Sequence, residues 1–130
     1  MYDVKSYQEK YLSTMTSSEL VTLMYGEIIK NLKKSVVAIE GGRVSQAHDH
    51  IIKAQDILFH LINNLDFKYE ISTNLLYLYE FMYDTLVKAN INKDVEGINR
   101  VIGFVADLKS TWVEAEKQSR IISHNMEKCI

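Results

Sequence analysis

No proline occurs anywhere in the 130 residues. That absence constrains the fold more than any motif does, because proline ends helices by removing an N–H and clashing with the preceding turn. Glycine, the other helix breaker, occurs only five times, and two of these stand together at Gly41-Gly42. A chain so poor in breakers, and rich in Leu, Ile, Lys, Glu and Ala, favours long uninterrupted helices.

Apolar periodicity divides the chain into four such helices. Thr16 can cap the first, with Glu19 three residues on to complete a capping box. A stripe follows at Leu20, Leu23, Met24, Ile28, Leu32, Val36 and Ile39, ending at the glycine pair. The second helix has the cleanest seam, with Val44, Ala47, Ile51, Ala54, Leu58, Leu61 and Leu65 in steps of three and four. Asn63, Asn64 and Asp66 favour a turn, and Ser72 is placed to cap the third helix, whose core face reads Leu75, Tyr79, Met82, Leu86 and Ala89. After "NINKD" the fourth helix carries Ile98, Val101, Val105, Leu108, Trp112 and Ala115, and the period fades beyond Gln118. Short connections make neighbours antiparallel. The expected fold is all-α, an antiparallel four-helix bundle with an additional short N-terminal helical or capping segment. Residues 1–15 form that segment, 16–118 the bundle and 119–130 a frayed tail, all within a single domain.

Several helices carry more apolar surface than one core stripe needs. Ile52 and Phe59 form a second ridge on helix 2, and Val95, Ile102, Ala106 and Val113 another on helix 4. Tyr77 and Phe81 fall on the far side of helix 3 from its core stripe, at about 100° per residue. Either these ridges widen an ordinary core, or they line a groove into which an amphipathic helix can lie. Ahead of the first helix, Val4, Tyr7 and Tyr11 would line up on one helical face. Aromatic residues in a terminal segment that is usually polar suggest that it has somewhere to dock.

Chemistry is hard to find. His48 and His50 are two apart on a helix and diverge, and His60 and His124 stand alone, so no metal set forms and no cofactor is implied. Cys129 is the one cysteine, which excludes an internal disulfide. No glycine-rich phosphate loop occurs, and no charged residue interrupts the inner stripes where acid–base groups could be tuned. A formal net charge of −2 gives no footprint for nucleic acid. No apolar run is long enough for membrane insertion, and no signal peptide is evident. The expectation is a cytoplasmic interaction protein, not an enzyme.

The order of the motifs "TSSELVTLMYGEIIKNL", "KAQDILFHLINNLD", "EISTNLLYLYEFMYDTLVKANINKD" and "ADLKSTW" resembles the bacterial flagellar secretion chaperone family (FliS). The most specific pieces are Asn74 to Asn90 and the downstream Trp112, and the likeness spans about residues 4 to 115. The resemblance implies a cytoplasmic helical bundle that binds the disordered C-terminal segment of flagellin. It would prevent early polymerisation and assist delivery to the export apparatus. It also implies contacts with an anti-sigma factor, an export-gate component or a co-chaperone. A regulatory bundle without export duty is the alternative.

By the same resemblance, Val4 and Tyr7 match an N-terminal cap that covers part of the client groove as a pseudo-ligand. Ala54-Gln55-x-Ile57-Leu58 and Asn74-Leu75-x-x-Leu78-Tyr79 match motifs on helices 2 and 3, which adds Gln55, Asn74 and Leu78 to the candidate groove. Tyr77 and Phe81 are held over as a second surface. Two departures stand out: Ser17 or Ser18 occupies the place where the family commonly has proline, and "LDFKYEI" replaces a Gly-Gly turn between helices 2 and 3.

Overall fold

The computed structural model describes residues 17–128, with side chains over 18–119. Four helices account for nearly all of it: α1 Ser17–Glu40, α2 Val44–Asn63, α3 Ile71–Asn92 and α4 Val95–Lys128. There is no strand among the described residues. Helix α1 packs against α2 and α4, and α3 packs against the same two, so the four close into an antiparallel bundle. Thr16, with its capping role, lies outside the described residues, as do Val4, Tyr7, Tyr11 and Cys129.

The first turn follows from the glycine pair. Gly42 sits at φ 73, the left-handed conformation that costs glycine nothing. Arg43 N–H then reaches back to the Ala38 carbonyl and Gly42 N–H to that of Ile39. This is the Schellman closure of a helix end. Lys93 makes the sharp α3–α4 turn in the same left-handed region, at φ 52, so α3 runs further into "NINKD" than its sequence suggests. Between α2 and α3 the chain takes no glycine. Asp66 organises the turn instead: its Oδ1 accepts from Lys68 N–H and its carbonyl accepts from the Ser72 hydroxyl at 2.6 Å.

The core is largely the one expected. Ile28, Leu32, Ile51, Ala54, Leu58, Leu61, Leu75, Tyr79, Met82, Leu86, Ala89, Ile98, Val101 and Val105 are buried together. Each large member contributes about 1.5–3 kcal/mol relative to full exposure.

Other positions need correction. Val44 begins α2 beyond the reach of its neighbours and is 56% exposed. Leu23 and Ala115 also face outward. Tyr25, absent from the expected stripe, is completely buried. Ser72 is not a cap, for it lies inside the first turn of α3 with its hydroxyl turned back onto the Asp66 loop. Finally, α4 continues as helix to Lys128, through the residues expected to fray.

Polar links sit between the helices. His50 Nδ1 and Asn31 Oδ1 join α2 to α1 at 3.1 Å. At the far end of the α2–α3 seam, Asn90 Nδ2 lies 2.9 Å from His48 Nδ1. Lys93 Nζ donates to Asn90 Oδ1 at 2.8 Å.

Candidate functional site

Three concave or aromatic surfaces interrupt the bundle, and the expected site residues divide among its faces. The first surface is an apolar cavity of about 520 Å³ at one end of the molecule. Leu20, Val21 and Met24 of α1 form one wall, Leu61 and Leu65 another, and Tyr69, Ile71, Leu75 and Tyr79 a third. Trp112 closes it from α4 and also borders an adjoining groove of about 570 Å³ against Ser18, Glu19, Ile71 and Ala115.

Beside this cavity the glycine-free α2–α3 connection and the start of α3 leave Phe67, Tyr69 and Ile71 exposed. Its floor is firm. The Tyr25 and Tyr79 hydroxyls are hydrogen-bonded to each other, and Trp112 meets Tyr25 edge-on at 6.0 Å between ring centroids. Burial, reinforced by the bond to Tyr79, pushes the Tyr25 phenol far above the usual tyrosine range. Burial raises Tyr79 as well. Both are neutral hydrogen-bonding groups at physiological pH.

The second surface is the groove between α2 and α3. Two depressions lie along it: one of about 380 Å³ lined by His48, Ile52, Gln55, Val87, Asn90, Ile91 and Lys93, the other of about 310 Å³ lined by Phe59, Ile62, Glu80, Tyr83 and Asp84. The expected ridge of Ile52 and Phe59 borders these depressions, and Phe59 is 58% exposed. Gln55, expected here from its motif, is 6% exposed and lies on the groove floor.

The third surface lies across α3 and α4. Phe81 packs edge-on against Phe104 at 6.0 Å, with Tyr77 beside it 66% exposed. Asn74 and Leu78, in helical register with Phe81, sit on this side of α3, away from α2. Sequence reasoning missed Phe104, which lies between two stripe positions.

The α4 ridge goes elsewhere. Ile102, Ala106 and Val113 share a helical face with Lys109, whose Nζ lies 3.4 Å from where a side chain on Gly26 would begin. That places the ridge on the α1 side, with Val95 in register two turns earlier. Ile102 is partly buried against the core, while Ala106 and Val113 are exposed. The expected groove residues are therefore spread around the bundle and do not converge in one trough. Leu20, Met24 and Trp112, expected in the core, line the bundle-end cavity, and Met24 and Trp112 are also packed against the core.

No group of three or more His, Cys, Asp or Glu among the described residues could hold a metal ion. No helix of those residues is long and apolar enough to cross a membrane. What the surfaces offer is exposed apolar area in several separate openings. The family described as flagellar protein FliS matches this chain over residues 1–119.

The chain belongs to the FliS family.

The flagellar secretion chaperone FliS of Bacillus subtilis is 31% identical over 119 residues, covering 92% of this chain and 90% of the relative. Its counterpart in Vibrio cholerae is 26% identical, covering 80% and 78%. That of Salmonella typhimurium is 26% identical, covering 84% and 86%. In this FliS-family chain, then, the openings described above are surfaces of a flagellar secretion chaperone fold.

Proposed function

We propose that this chain is a cytoplasmic export chaperone that binds the disordered C-terminal segment of flagellin. In doing so it keeps the subunit from polymerising and hands it to the flagellar export apparatus. The observation that carries the reading is the set of apolar openings at the bundle end and along the α2–α3 groove. Their lining, Leu20, Met24, Tyr69, Ile71 and Trp112 at the one and Ile52, Phe59 and Val87 at the other, is too open to serve only the chain's own core.

Flagellin's end would gain helix as it buries roughly 1,000–3,000 Å² here, and that burial offsets the entropy lost in ordering it. Val4, Tyr7 and Tyr11 act as a resident cap. Ser18, near the start of α1, borders the Trp112 groove, which supports that reading. Asn74 and Leu78, with Val95, Ile102, Ala106 and Val113, extend the client's path around the bundle. The Tyr77–Phe81–Phe104 face serves a second protein partner such as a co-chaperone.

Light scattering during seeded flagellin polymerisation tests the reading. One equivalent of this chain should suppress elongation, and elongation at the unassisted rate would contradict it.

A further inference from the structure

Helix α3 has a second apolar face besides its buried stripe of Leu75, Tyr79, Met82, Leu86 and Ala89. Tyr77, Phe81, Asp84, Lys88 and Ile91 follow one another in steps of four and three, and at about 100° per residue they share one stripe opposite the core. All five are exposed, Phe81 at 55% and Ile91 at 76%. Phe104, edge-on to Phe81, broadens the stripe toward α4. Asp84 and Lys88, one helical turn apart at its centre, form no ion pair with any described residue.

The spacing is that of a coiled-coil seam, and its order of side chains is complementary to itself. Let a second copy lie antiparallel across a two-fold axis that passes between Asp84 and Lys88. Each Asp84 then meets the partner's Lys88, and each Phe81 meets the partner's Ile91. Both contacts occur twice, as a symmetric interface requires. Other registers match less well. A slide of one heptad sets Asp84 against Phe81 or Lys88 against Ile91, and a parallel pairing sets like charges side by side.

We propose that this outward face of α3 is a homodimer interface, with reciprocal Asp84–Lys88 ion pairs fixing the register between apolar contacts. The inference stands independently of the flagellin reading. It names the protein that the Tyr77–Phe81–Phe104 face receives when the chain is alone.

The available area fits a modest dimer. Side chains of this size offer about 150–250 Å² each when fully exposed, so Tyr77, Phe81, Ile91 and Phe104 bring roughly 400–500 Å² per copy at their observed exposures. Two copies together bury on the order of 1,000 Å², the size at which specific interfaces begin. Such a dimer forms and dissociates with concentration.

Sedimentation equilibrium of the full chain, from micromolar to millimolar concentration, tests the proposal. The wild-type chain should pass from monomer to dimer. Asp84→Lys sets lysine against the partner's Lys88, and Lys88→Asp sets aspartate against the partner's Asp84. Each variant alone should therefore dimerise about ten-fold more weakly or worse. An equimolar mixture of the two variants should recover the dimer, because the lysines of one then meet the aspartates of the other.

A wild-type chain that stays monomeric throughout overturns the inference and leaves the face to a different protein. A dimer that neither charge reversal weakens also overturns it, because the copies then meet on another face. Failure of the mixed variants to recover the dimer overturns the pairing of Asp84 with Lys88.

Discussion

Tyr25 and Tyr79 show how single residues set the character of the site. Two phenols of the core meet each other where aliphatic side chains would have packed more cheaply. Each hydroxyl needs a partner because an unpaired buried one costs about 1–3 kcal/mol. Tyr25→Phe should therefore cost that amount by leaving Tyr79 unpaired. The double change to Phe should cost less than the sum of the two single changes, as urea denaturation would measure.

The same pair gives a pH signature. The folded state keeps both protons where an unfolded tyrosine, with pKa about 10, gives its proton up. Stability is fully present below about pH 10. It falls as the pH rises above that value, by up to about 1.4 kcal/mol per pH unit for each proton that the folded state keeps and the unfolded state has lost. Denaturation midpoints between pH 9 and 11 should show this slope in wild type and lose it in the double Phe variant.

At the scale of elements, helix existence and order were legible wherever one face is consistently apolar. Ala47, Ile51, Ala54, Leu58 and Leu61 repeat cleanly because α2 is flanked by α1 and α3 along its length. The glycine pair marked its turn because only a left-handed residue closes it that way.

The α2–α3 loop was harder to read. Its closure depends on Asp66 and on a hydroxyl from inside the next helix, a contact six residues apart that no local propensity encodes. The bundle-end cavity was not legible either. Leu20, Met24 and Trp112 carry the same periodic signal whether they are enclosed by neighbouring helices or line an opening between them. Likewise the ridges on α2, α3 and α4 were visible, but which neighbour each faces depends on how the helices are rotated in the bundle.

The N-terminal segment is the element whose role the client reading makes most testable. A resident cap lowers apparent client affinity by the fraction of molecules it occupies. Removing residues 1–14 should therefore raise affinity for the flagellin segment, by about 3- to 30-fold. Weaker binding after removal would mean that the segment helps hold the client.

For the whole molecule, function comes from distributing apolar surface around a stable bundle while leaving the core intact. Leu61, Leu75 and Tyr79 belong both to the buried core and to the wall of the bundle-end cavity, so the openings are built directly on the core that closes the bundle. A partner that becomes helical only in contact with such openings has a definite thermodynamic mark, because apolar burial with coupled folding lowers the heat capacity. Calorimetric titration of the flagellin C-terminal segment into the intact chain, repeated at several temperatures, reads that mark directly. The account predicts saturable one-to-one binding with a large negative heat-capacity change. Absence of binding, or binding with no change in heat capacity, would contradict it.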